Sequence, residues 1–151
     1  MYVRYHLMFS LFLMSYMVLN KGMICGFLAY ASAVLIDFDH YAWYVIKKKD
    51  FSLRNAVNFF LSKHKPVLLL FHTIWFQIAW LIFVFMMKFI NSALYFLGSC
   101  VAVGMLFHLF LDFLYYVLAY YDLPGSGILG KSYSNKKEII KDAKAKFLGV
   151  L

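Results

Sequence analysis

Leu35-Ile36-Asp37-Phe38-Asp39-His40 places two carboxylates and an imidazole at the end of an apolar run that starts near Met23. The chain has only 7 acidic residues, and Asp37 and Asp39 are among them. Ionisable groups are expensive inside an apolar segment and mark a functional site by default. The stretch reads as one wall of a metal site on the cytoplasmic face of a membrane bundle. The other walls come from the rest of the chain.

Composition supports the membrane half of that reading. Of 151 residues 64% are apolar, with a mean hydropathy of +0.74, against about 45–50% apolar in soluble domains. Aromatic residues reach 21%, which suits lipid-facing and interfacial positions. The net charge of +8 fits anionic phospholipid, met through a basic loop and tail, and no nucleic-acid partner is expected. Cys25 and Cys100 form no CxxC and lie in different apolar segments. They read as small core residues and not as a disulfide. Arg4 and residues 7–19 have the outline of a signal peptide, but no convincing cleavage site follows Leu19, so this run reads as a retained helix.

Four apolar segments stand out: residues 3–19, 23–36, 67–87 and 92–121. A bilayer core of ~30 Å needs about 20 helical residues, so each is read as a span. Gly22 and Gly26 form a small-xxx-small pair suited to close helix approach. Residues 51–62 are too polar to span. There Leu53, Val57, Phe60 and Leu61 share one helical face, which predicts a short helix in the membrane surface. Pro66 suits the first turn of the third span. A turn at residues 122–127 closes a transmembrane domain, 1–127, and leaves a basic tail, 128–151. In the tail Asn135 and Glu138 have capping-box spacing, and Ile140, Ala143, Phe147 and Leu151 line one face of an amphipathic surface helix. The expected fold is all-α: an integral membrane bundle of four transmembrane helices with short amphipathic interfacial helices.

Charge sets the orientation. Arg4, the loop cations Lys47, Lys48, Lys49, Arg54, Lys63 and Lys65, and six tail lysines make thirteen on one side, against Lys21 and Lys88 on the other. The positive-inside rule then makes both termini cytoplasmic and the protein a multi-pass component of an inner or plasma membrane. In this frame His6 and Asp37 lie at the cytoplasmic surface, His72 roughly 9 Å below it and Asp112 roughly 13 Å deep. The unusual polar residues all fall in the cytoplasmic half.

His108 and Asp112, four apart, point the same way on a helix. Both are ordinary ligands for zinc, manganese or iron. On a continuous helix Asp37 and His40 share a face and Asp39 points away, whereas a helix break lets all three converge. Carboxylates at a helix C-terminus meet the negative end of its dipole, which a divalent cation compensates. With His6 and His72, the expected metal ligands are His6, Asp37, Asp39, His72, His108 and Asp112, holding one or two divalent ions, zinc or manganese. Asp39, His40 and His72 are the candidates for catalytic proton transfer. Two other readings stay open: a non-catalytic binding or regulatory membrane protein with a structural or vestigial cluster, and a small ion transporter. The lack of relay residues in the outer half argues against the transporter.

The order of these motifs resembles the YdjM-like family of LexA-binding, inner-membrane-associated metal-dependent hydrolases (domain of unknown function 457). The likeness covers about residues 4–115. It rests on His6-Leu7-Met8-Phe9-Ser10, on Leu35 to His40 as Asp-x-Asp-His, on His72-Thr73-Ile74, and on Gly104 followed by His108 and Asp112 as Gly-x3-His-x3-Asp. The resemblance implies metal-dependent hydrolysis and leaves the substrate open. The expected activity is a membrane-embedded hydrolase with a cytoplasm-facing His/Asp site, acting on a phosphoester or lipid-like substrate. Ile36 stands where the family has proline, and His64-Lys65-Pro66 lies eight residues before His72 instead of five.

Overall fold

A computed structural model describes residues 3–62, 69–121 and 135–149, and among them every regular element is a helix. The helices are α1 (Val3–Lys21), α2 (Met23–Leu35), α3 (Phe38–Lys48), α4 (Leu53–Ser62), α5 (Ile74–Ile90), α6 (Ser92–Tyr121) and α7 (Lys136–Leu148). Two runs are long and apolar enough to cross a membrane: Met23–Lys48, which takes in α2 and α3, and Ser92–Tyr121. His64, Pro66, the turn at residues 122–127 and Leu151 lie outside the described residues.

The centre of the molecule is α2, packed between α1 and α6. Gly22 joins α1 to α2 with φ at 91°, a conformation that disfavours a side chain. A Cβ on Gly26 would meet the Val18 side chain and the backbone of Met14 and Val18. Gly26 therefore serves close helix packing, and Gly22 serves the turn. On the other face, a Cβ on Gly104 would meet Ala29 O and Ser32 Oγ. The Ser32 hydroxyl bridges the same contact, lying 3.1 Å from Ala29 O and 3.0 Å from Val101 O. This bare position brings α6 against the α2 backbone.

Close packing also corrects the reading of the cysteines. Cys25 and Cys100 are both buried, but they form a disulfide between α2 and α6, with their Cα atoms 5.2 Å apart. A separation of 75 residues hides from the sequence that the two segments are neighbours.

The third segment is also corrected. It begins as a helix at Ile74, not at residue 67. Thr73 caps it, accepting a hydrogen bond from Phe76 N–H at 3.3 Å. Before the cap, residues 70–72 form a turn, which Gln77 holds by donating to Phe71 O at 2.8 Å. Residues 69–71 are apolar and look continuous with the helix, but local side chains take their backbone groups instead.

The amphipathic pieces dock with rotated faces. On α4, Ala56 is buried and Leu53 and Val57 are exposed, while Phe59 and Phe60 stack against Trp43 and Tyr44 of α3. On α7, Asn135 caps the helix by accepting from Glu138 N–H at 3.0 Å. Ile139 and Ala145 are buried, and Ile140 is exposed. Ile139 joins Tyr115, Tyr116 and Ala119 of α6 in one apolar cluster.

The exterior is greasy and the interior partly polar. Leu19, Phe12 and Phe89 are 86%, 68% and 72% exposed, whereas His6, His72, His108 and Asp112 are 2% exposed or less. Water-soluble domains sort the other way.

Candidate metal centre

The chain breaks where the polar cluster requires it, without a proline. Ile36 and Asp37 form a tight turn between α2 and α3, with Asp37 N–H donating to Val34 O at 3.4 Å and His40 N–H to Asp37 O at 3.1 Å. These i→i+3 contacts tighten the helix as a short 3₁₀ piece does. Asp37 and Asp39 both turn inward as a result. Buried Ile36 gives the turn an apolar anchor.

Four atoms converge from three parts of the fold. His72 Nε2 lies 3.3 Å from Asp37 Oδ1 and 3.7 Å from Asp112 Oδ2. His108 Nε2 lies 3.5 Å from Asp37 Oδ1 and 3.2 Å from Asp112 Oδ2. The two imidazole nitrogens are 3.3 Å apart. A tetrahedron with metal–ligand bonds of about 2.0–2.1 Å has edges of about 3.3–3.4 Å. Five of the six edges run from 3.2 to 3.7 Å, around that figure.

The outer nitrogens fix which way the rings are protonated. His108 Nδ1 is 2.6 Å from Ala33 O, a pure acceptor, so it carries the proton. His72 Nδ1 faces Asp39 Oδ2 at 3.1 Å, again an acceptor. With the rings neutral, both Nε2 atoms present lone pairs to the same point as the oxygens of Asp37 and Asp112. Four lone pairs converging on one buried point call for a cation. Asp39 accepts from Phe71 N–H at 3.1 Å as well, so it ties His72 to the turn before α5. It stands behind His72 and not at the point of convergence.

The remaining residues of the cluster flank this point. His6 Nε2 is 3.3 Å from Asp112 Oδ1, and its ring stacks on His108 with centroids 4.0 Å apart. His40 Nε2 is 3.4 Å from Asp37 Oδ1, and its ring packs edge-on against His72 and Phe60. Two separate groups of three, which share no residue, could each hold a metal ion: His6–His108–Asp112 and Asp37–His40–His72. Only Asp37 and His40 have appreciable exposure, with side chains 22% and 24% accessible. The open side of the centre is therefore theirs.

Two participants are not singled out by the sequence motifs. The Ala33 carbonyl is invisible as a residue type, and its role follows from the Gly104 contact one turn earlier. The second is Lys146 of α7, whose Nζ lies 2.6 Å from Asp112 Oδ2. Burial pulls the Lys146 pKa down, but Asp112 and Asp37 outweigh it, so the ammonium is held above the ordinary lysine value. Lys146 falls seven residues after buried Ile139, on the docking face of α7, and that spacing is the signal it carried.

No family model, curated protein or solved structure matches the chain.

Proposed function

We propose that the protein is a membrane-embedded, metal-dependent hydrolase of phosphoesters, akin to the YdjM-like proteins in its Asp-x-Asp-His and Gly-x3-His-x3-Asp motifs. One observation carries this reading: Asp37, His72, His108 and Asp112 aim four lone pairs at one point, at tetrahedral spacing, with both outer nitrogens already hydrogen-bonded. These four would hold a divalent ion. When bound, such an ion polarises a phosphoryl oxygen and acidifies water.

The chain's own residues supply the rest. Asp39 and the Ala33 carbonyl orient the two histidines. His40, on the open side, takes a proton from the attacking water. The new P–O bond forms as the ester P–O bond breaks, and the proton passes to the departing alkoxide. We place the centre in the cytoplasmic half of a four-span bundle made by α1, α2 with α3, α5 and α6. The cation asymmetry and the apolar exterior support this placement.

Metal analysis of detergent-purified protein tests the reading, together with phosphate release from phosphatidic acid in mixed micelles. Stoichiometric zinc or manganese and metal-dependent release are expected. An equal metal content in the Asp37→Ala, Asp112→Ala double variant would sink the site. Metal binding without hydrolysis of any phosphomonoester would leave a binding protein instead.

A further inference from the structure

The cluster holds three carboxylates, Asp37, Asp39 and Asp112, and a histidine that ligates a metal is neutral. One divalent ion leaves this set one positive charge short. Two divalent ions overshoot by one before any lysine is counted. Lys146 reaches the same Asp112 oxygen that forms a corner of the tetrahedron, at 2.6 Å, and its side chain is only 11% exposed. In a setting from which water is largely excluded, unmatched charge is costly and matched charge is kept.

We infer that Lys146 takes the place of a second metal ion: the centre binds one divalent cation, and α7 delivers the other positive charge. This inference rests on the metal reading above. Counted over Asp37, Asp39, Asp112 and Lys146, three negative charges then meet one ammonium and one divalent ion. His6, 3.3 Å from Asp112 Oδ1, becomes a positioning residue for that carboxylate and not a ligand of a second ion. The delivery is built into the fold. Ile139 and Ala145 are buried, and the Tyr116 hydroxyl donates to Asp142 Oδ2 at 3.4 Å, so α7 is held on α6 beside the centre. A catalytic domain ending before residue 128 would lack this charge.

The test is zinc titration of the full chain in detergent, by calorimetry and elemental analysis. Wild type should bind one zinc per chain. Lys146→Met removes a cation next to a ligand, so zinc affinity should rise at least about tenfold, since a like charge within ~4 Å opposes the ion strongly in a buried site. Lys146→Arg, which keeps the charge, should stay within about threefold of wild type. Ile139→Asp, which loosens α7 without touching the centre, should reproduce the Lys146→Met gain. Two zinc ions in wild type would overturn the inference and leave the metal reading intact. So would unchanged or weaker binding in both Lys146→Met and Ile139→Asp. No zinc in wild type or in any variant would remove the metal reading itself, and the inference with it.

Discussion

At the scale of single residues, the centre is defined as much by what stands behind the ligands as by the ligands. Asp39 accepts from His72 Nδ1–H and from Phe71 N–H. Losing such an outer partner costs about 10–100-fold in metal affinity. Asp39→Ala should therefore weaken zinc binding by about that factor at unchanged stoichiometry, as read by competition with a chelator. Unchanged affinity would mean that Asp39 does not orient His72. His40→Gln should behave differently, keeping the metal and lowering phosphate release by about 10²–10⁴-fold. Loss of the metal in that variant would make His40 a ligand and remove it as the base. The residue types of this cluster were legible in the sequence, because histidine and aspartate are conspicuous in an apolar chain. Their division of labour was not. Asp37 and Asp39 are equivalent as letters, and only the turn at Ile36–Asp37 sends one to the point of convergence and the other behind His72.

At the scale of elements, contacts between backbones decide what the side chains can reach. Gly104 lets α6 press on α2 at Ala29, and one turn further along His108 meets Ala33 O. Gly104→Ala would drive a Cβ into Ala29 backbone that cannot yield like a flexible side chain. Overpacking of this kind costs about 1–3 kcal/mol. The variant should lose several degrees in Tm and also bind zinc more weakly, because His108 moves with the helix. A fall in Tm with zinc affinity intact would separate the packing from the site. The α3–α4 turn offers a pH-dependent contrast. Asp50 accepts from Ser52 N–H at 2.8 Å, from Asn55 Nδ2–H at 2.9 Å and from the Tyr44 hydroxyl at 2.7 Å. These bonds, the one from Ser52 first, hold its pKa below the ordinary 3.8. A carboxyl lowered on folding stabilises above its unfolded pKa, and the contribution disappears as pH falls through the folded value. The Tm difference between wild type and Asp50→Ala should thus be full at pH 7 and shrink below 3.8. A difference that stays constant into acid would assign the turn's stability to something other than this carboxylate. Element boundaries follow a similar logic. The bounds of α6 were readable because, His108 and Asp112 apart, no charge or proline breaks its apolar run from Ser92 to Tyr121. The start of α5 was not, since residues 69–71 are as apolar as the helix and the break depends on Thr73 and Gln77 bonding locally. Lys146 was overlooked because lysines on a basic tail helix look alike until Ile139 fixes which face docks.

At the scale of the whole molecule, polar chemistry and oxidised sulfur occupy opposite ends. Cys25 precedes Asp37 by twelve residues on the α2 side, roughly 18 Å of helix, and Cys100 precedes His108 by eight residues, roughly 12 Å. The disulfide therefore lies towards the end marked by Lys21 and Lys88, away from the end where Lys146 meets Asp112. Disulfides persist on the oxidising side of a cell membrane, and lysine and arginine collect on the cytoplasmic side. Two unrelated rules thus support the orientation proposed above. The chain-entropy estimate for a crosslink of this span is about 4 kcal/mol, an upper bound where a bilayer already restricts the unfolded chain. Cys25→Ala with Cys100→Ala should lower Tm and leave zinc stoichiometry untouched, because the centre is at the far end. Reporter fusions then test the orientation itself. A reporter active only in the cytoplasm should work when fused after residue 151 and between Lys49 and Ser52, and a periplasm-active one should work when inserted at Gly22. Reversed activities would place the metal centre on the oxidising side and the disulfide in the cytoplasm. That pairing would contradict both rules at once and remove the argument for a cytoplasmic substrate.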